Sequence, residues 1–135
     1  MRLDEATCRE RVAAARSAYL ATTGADLAPH IVPVTFALVS GQIVIGIDQK
    51  PKTTYALRRL RNIEENPRVA LLCDAYDEDW TQLWWVRVDG TASVIDADEQ
   101  ALEALVARYE QYNDDPPRGP VIVITPRRWS GWAYA

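Results

Sequence analysis

At 135 residues the chain fits one domain, 1–135, long enough to bury a core of its own. It is 48% hydrophobic and 25% charged with a net charge of −4, an ordinary globular balance that excludes a general nucleic-acid binder, which needs a basic field over a broad face. Apolar runs reach only strand length, which excludes a membrane-spanning helix, and two cysteines, Cys8 and Cys73, are too few for a disulfide scaffold.

Residues 4–16, DEATCRERVAAAR, predict a helix, with acids in the first turn and Arg16 in the last, as the helix dipole favours. The charged opening MRLDEATCRERV has no apolar segment of the kind a signal peptide carries. The expectation is therefore a reducing, cytoplasmic setting with both thiols free.

Strands follow at 18–23, at 30–40 (HIVPVTFALVS) and at 43–48, the last two joined by a Gly-Gln turn. Pro33 within the second predicts a bulge or a sheet edge, because proline cannot donate to the ladder. Residues 53–65 predict a helix with Leu57, Leu60 and Ile63 on one face, Thr53 or Thr54 as cap and Asn66-Pro67 as stop.

A strand at 68–76 leads into an acidic loop, YDEDW. Residues 83–96 predict a strand pair or one bent strand with Gly90 at the bend. A helix at 97–112 with Leu102, Leu105, Val106 and Tyr109 inward precedes closing strands at 121–126 and 129–135. Short strands outnumber helices and neighbours can pair as hairpins, which predicts a mainly β (α+β) fold: a small antiparallel barrel with flanking helices.

One stretch stands apart. KPKTTYALRRLRN, residues 50–62, holds the only two lysines, Lys50 and Lys52, then Arg58, Arg59 and Arg61, with no acid before Glu64. A helix starting near Thr53 offers unpaired N–H groups and the positive end of its dipole. Two ammonium groups and a threonine hydroxyl beside it make a phosphate site, with Arg58 and Arg61 in reach of the same anion. The competing reading is a solvated basic face on a surface helix.

HIVPVTF holds the only histidine, His30, and the only phenylalanine, Phe36. A proline-interrupted strand leaves backbone groups free for the edge of a flat heterocycle, or Pro33 merely ends sheet pairing. No second histidine or Cys/His cluster accompanies His30, so a zinc site or a Cys-His nucleophile has little support. Of the five tryptophans, Trp84 and Trp85 alternate to opposite faces of one strand, one inward and one toward a groove or a subunit partner. No GxGxxG, P-loop or GxSxG occurs.

Taken together, YLATTGADLAPHIVPVTFAL, KPKTTYALRRLRNIEENPRVALL and DEDWTQLWWVRVDGTASVID resemble the first hairpin, the phosphate-binding turn and helix, and the central strand pair of the pyridoxamine 5'-phosphate oxidase-like flavin and deazaflavin oxidoreductases. The chain is most similar to the members that use coenzyme F420. The resemblance implies a split β-barrel homodimer with the cofactor, F420 or alternatively FMN, in a groove between subunits and a hydride passing to a small organic substrate.

It implies phosphate binding by Lys50, Lys52 and Thr53, with Arg58 and Arg61 at later basic positions of the family. The ring would lie along Val32, Pro33, Val34 and Thr35, with Trp80 after the acidic loop. Trp129 and Trp132 of the closing strands would reach the cofactor, often that of the other subunit. A proton could come from solvent, Thr35 or Tyr55. The longer basic tail with which true pyridoxamine phosphate oxidases grip substrate phosphate is lacking after GWAYA, which leaves the substrate open. A non-catalytic carrier of flavin, deazaflavin or haem is the other class of reading.

Overall fold

The computed structural model describes residues 1–47 and 54–134, without the side chains of residues 54–57. The elements in chain order are α1 (Glu5–Ala14), β1 (Ala18–Thr23), β2 (Pro29–Val34), β3 (Ala37–Val39), β4 (Gln42–Gly46), α2 (Thr54–Glu65), β5 (Arg68–Ala75), β6 (Trp84–Ile95), α3 (Glu99–Arg108) and β7 (Val121–Ala133). Short 3₁₀ turns at Trp80–Gln82 and Glu110–Tyr112 flank β6 and α3. No helix among the described residues is long and apolar enough to cross a membrane.

The seven strands form one antiparallel sheet in the order β2-β1-β5-β6-β7-β4-β3. β2 and β3 are its opposite edges, yet only Thr35 and Phe36 separate them in sequence. Three Cα–Cα steps span at most about 11 Å, so the two edges must meet at this point and the sheet must curl into a barrel.

This corrects the reading of 30–40 as one strand. The apolar run is continuous because both halves line the same interior, but the chain changes sheet edge in the middle of it. Pro33 sits on the outer edge strand opposite Tyr19, in unbroken register and without a bulge. The turn that follows has Ser40 and Gly41 as its central residues, both at positive φ (50° and 81°), and joins Val39 to its partner Gln42. It therefore lies one residue earlier than the Gly-Gln turn expected.

Residues 83–96 resolve to the second expected form, one long strand. The predicted closing pair is also a single strand, β7, which follows β6 along its length with one register shift at Asp89/Gly90. The helix predicted to 112 ends at Arg108, and Leu102 and Val106 are only half-buried while Ala101 and Leu105 are covered. The anticipated count of seven strands survives because 30–40 splits where 121–135 merges.

Alternation fills the barrel. Leu20 of β1, Leu71 of β5, Val86 and Val88 of β6, Ile122 and Ile124 of β7 and Ile43 and Ile45 of β4 point inward and are buried together with Phe36. Asp4 caps α1 by accepting from Thr7 N at 2.8 Å, and Cys8 and Val12 bury the helix against the barrel. Asn62 of α2, 1% exposed, donates to Thr22 Oγ1 at 3.0 Å. A smaller cluster under α3 joins Leu105 and Tyr109 to Ala37, Val44 and Val121. Both cysteines are free and buried; burial raises both thiol pKa values, that of Cys73 to about 12.

The link between the sheet edges is pinned from α3. Tyr109 Oη accepts from Phe36 N at 3.1 Å, and its own proton can go to Arg16 O at 3.0 Å or Phe36 O at 3.1 Å. The Arg108 guanidinium donates to Ala13 O in the last turn of α1 and to Ala15 O just past it, and lies 4.7 Å from the Phe36 ring centroid. One short segment of α3 thus fixes both the N-terminal helix and the edge crossing.

Gly90 marks the shift in register for a steric reason: a Cβ there would lie 2.6 Å from Thr125 O and 3.0 Å from Ile124 Cγ2. The carbonyl belongs to the paired strand and cannot swing aside. Gly90→Ala is expected to destabilise the barrel by about 1–3 kcal/mol in urea unfolding; wild-type stability would show that β7 can shift away at no cost.

Candidate functional site

Where the sheet edges meet they leave an open cleft of about 310 Å³. β2 supplies Pro33 and Val34, the crossing supplies Thr35, β4 supplies Ile45 and Gly46, α2 supplies Arg59 and the segment after α1 supplies Ser17. Val34 is buried and forms apolar wall, Pro33 has no N–H to offer, and Thr35 brings a hydroxyl. Glycine at position 46 keeps that wall of the cleft flat and lets Pro117 and Leu105 pack behind it, where a Cβ would meet them at 2.9 and 3.1 Å.

Arg59 stood in the basic run read from the sequence, but only Arg58 and Arg61 were expected to reach the anion. Its Nε is buried and makes no hydrogen bond among the described residues, and burial holds its pKa below the usual arginine value. A guanidinium in that state, at a cleft mouth, is a donor set waiting for an anion or a ring carbonyl. The helical period could have found it: Arg59 lies four residues before Ile63, on the flank of the buried face, whereas Arg61 is exposed.

Arg58 faces away toward the β1–β2 hairpin, with its guanidinium 3.7 Å from Asp26 Oδ2. It therefore borders the site rather than lining the cleft. His30 lies near both arginines. Burial first, then the positive charges of Arg58 and Arg59, holds its pKa below 6.5.

Of the ring-binding segment, Pro33, Val34 and Thr35 reach the cleft, while Val32 points inward and packs on the barrel core. Lys50, Lys52 and Thr53 lie outside the described residues, in the segment between β4 and α2. Tyr55 has no described side chain. Trp80 is 65% exposed on its 3₁₀ turn, capped by Asp79, and lines none of the cavities described here.

The remaining predicted residues belong to another surface. Trp132 pairs with Trp85 across β6 and β7, and both line a groove of about 380 Å³ with Arg2, Arg87, Arg128 and Ser130. Trp129 also borders this groove, packs on the core and carries the Arg9 guanidinium 4.6 Å from its ring centroid. No residue lines both this groove and the cleft. Trp84 packs on the core and Trp85 lies on the outer face, as alternation required.

Register shows what separates the two surfaces. Pro33, Tyr19, Leu72, Arg87 and Ser130 form one row across the outside of the sheet, and Ile31, Ala21, Ala70, Asp89 and Arg128 form the next. Tyr19 (45% exposed), Ile31 (65%), Leu72 and Trp85 make the first half of this face apolar around a hollow of about 430 Å³. A hollow of about 740 Å³ along α3 is bordered by Glu99, Glu103 and Glu110 together with Arg16 and Arg108, a mixed-charge lining. No group of three or more potential metal ligands occurs among the described residues.

The family model described as pyridoxamine 5'-phosphate oxidase matches residues 4–133. Among solved structures, a conserved hypothetical protein from Mycobacterium tuberculosis is 23% identical, with 97% of this chain and 85% of that one covered and a TM-score of 0.77. An FAD-binding protein from Mesorhizobium loti is 18% identical, with 97% and 95% covered and a TM-score of 0.74. The haem storage protein HutZ from Vibrio cholerae is 20% identical, with 98% and 95% covered and a TM-score of 0.73. These likenesses establish the split-barrel fold. No curated protein matches the chain in sequence.

The cleft fits a flat, partly anionic heterocycle in its donor set: an apolar wall, the hydroxyls of Ser17 and Thr35, and a half-buried cation whose Nε is unbonded among the described residues. His30, the only histidine, reports on it. Because its folded pKa lies below 6.5, its contribution to stability is fully present above pH 6.5 and is lost as pH falls through the folded value. A phosphate-bearing ligand seated beside Arg58 and Arg59 offsets their field, so the single histidine NMR titration is expected to move up toward 6.5 on ligand addition. A downward or absent shift on saturation would place the anion elsewhere.

Proposed function

This chain belongs to the pyridoxamine 5'-phosphate oxidase family, and from that premise we propose that it is an oxidoreductase with a flavin-class cofactor, specifically the deazaflavin coenzyme F420, acting on a small organic acceptor. The observation that carries the reading is the cleft at the meeting of the sheet edges, with the half-buried Arg59 lining it; the acid-free run from Lys50 to Arg61 in the sequence supports it.

When bound, a reduced deazaflavin supplies a hydride from its ring carbon. The chain's own residues do the rest. Val34 and Pro33 give the ring an apolar wall and exclude water, and Thr35 gives one oriented hydroxyl. Arg59 carries charge to the anionic part of the ligand, and Lys50, Lys52 and Thr53, just ahead of α2, take its phosphate. Arg61, exposed further along α2, follows the acidic tail. Hydride transfer from the ring requires no protein nucleophile.

The proposal includes a homodimer. A second copy would cover Tyr19, Ile31, Leu72 and Trp85, an apolar patch of the kind that monomers rarely leave open. It would bring the Trp129–Trp132 groove, with Arg2, Arg87 and Arg128, toward the cleft of its neighbour. Sedimentation at micromolar concentration is expected to give a dimer, and Ile31→Asp to give a monomer; a wild-type monomer ends the shared-groove arrangement.

The likeness to FAD-binding and haem storage proteins favours one rival, a carrier that holds such a ligand without turnover. FMN is the rival cofactor within the oxidoreductase reading. Titration of the protein with F420 and with FMN, followed by tryptophan quenching at two salt concentrations, separates these. Tighter, salt-weakened F420 binding is expected. Lys52→Ala and Arg59→Ala should each weaken it about tenfold or more, the loss of one charge-assisted contact. Tighter FMN binding moves the assignment to flavin, and unchanged affinity in Arg59→Ala removes the cleft as the anion seat.

A further inference from the structure

Thr35 does not stand alone in the cleft. Its Oγ1 lies 2.7 Å from Tyr112 Oη, and it makes no other hydrogen bond among the described residues. Tyr112 is half-buried on the 3₁₀ turn after α3, and its ring meets Tyr109 edge to face at 5.6 Å and 73°. Tyr109 is in turn bonded to the backbone of Phe36, the residue next to Thr35. The phenol is thus held from one side by an aromatic contact and from the other by the hydroxyl it meets.

The direction of the bond decides what the cleft receives. Either hydroxyl can donate, but a phenol is a stronger acid than an aliphatic alcohol and an alcohol oxygen the better acceptor, which favours Tyr112 as donor and Thr35 as acceptor. The Thr35 proton is then free of Tyr112 and is left for whatever occupies the cleft that Thr35 lines.

We propose that Tyr112 is a positioning residue. By donating to Thr35 it fixes the threonine hydroxyl as a hydrogen-bond donor into the cleft, and so selects heterocycles that present an acceptor, a ring carbonyl oxygen or an sp² nitrogen, at that edge. This inference rests on the reading of the cleft as a ring site. It gives the turn after α3 a role in ligand choice that neither its own sequence nor the basic run discloses.

A double-mutant cycle tests it, with affinity for F420, FMN and FAD as one readout and the thermal midpoint of the ligand-free protein as the other. Thr35→Val and Tyr112→Phe should each weaken the tightest of the three probes about fivefold, the worth of one neutral hydrogen bond. The double variant should be no weaker than Thr35→Val alone, because Tyr112 acts only through Thr35. Thr35→Ser should restore wild-type affinity. A purely structural Tyr112 would lower the midpoint and leave affinity, measured well below it, unchanged; that result overturns the proposal, as does additivity in the double variant. Wild-type protein that binds none of the three probes overturns the ring-site reading and this inference with it, whereas binding without coupling overturns this inference alone.

Discussion

Two residues, Thr35 and Phe36, join opposite edges of a seven-stranded sheet. That covalent constraint bends the sheet into a barrel, and most of the molecule can be read as its consequence. Phe36 plugs the interior at 0% exposure while Thr35 remains at the seam. The backbone groups of Phe36 leave the ladder at the crossing, where Tyr109 Oη accepts from the Phe36 N–H and lies within reach of its carbonyl. The seam that cannot be hydrogen-bonded shut is where the cleft opens.

The same seam explains how an acidic chain keeps a basic pocket. The net charge of −4 is carried largely by exposed loops and helix faces, with Asp77, Glu78 and Asp79 in one loop and Glu99, Glu103 and Glu110 along α3. The basic face of α2 meets the sheet beside the cleft. Arg58 reaches Asp26, whereas Arg59 is drawn under cover with its Nε unbonded among the described residues. At short range a partly buried cation outweighs distant screened carboxylates, so the local field at the cleft is positive. After burial, both arginines also hold the pKa of His30 down, in the direction such a field requires.

Packing elsewhere serves the seam. Arg108 and Tyr109 gather the residues just past α1, the crossing and the foot of α3 into one hydrogen-bonded knot. Gly46 and Gly90 keep backbones close at two places where a methyl group would collide. The outer face has no such internal partner. Its rows of side chains end in an apolar patch on one side and an arginine-tryptophan groove on the other, the two surfaces that the proposed dimer would cover.

Residue types and their periods determined the barrel class, the strand-rich order and the opposite fates of Trp84 and Trp85, because alternation is local and acts within a few residues. The basic run was legible for the same reason, as was the Pro33–Thr35 segment, which does line the cleft. Local periodicity could not see that HIVPVTFALVS changes sheet edge at Thr35, since both halves bury the same face. Nor could it see that VIVITPRRWSGWA stays one strand despite Pro126 and Arg127, since the shift at Gly90 on the partner strand absorbs the irregularity. It could not show that Arg59 would keep its Nε unbonded among the described residues, or join Thr35 to a tyrosine 77 positions away. Those decisions belong to the closed sheet, because only long-range pairing fixes which groups are hidden from water and which are left to meet a ligand.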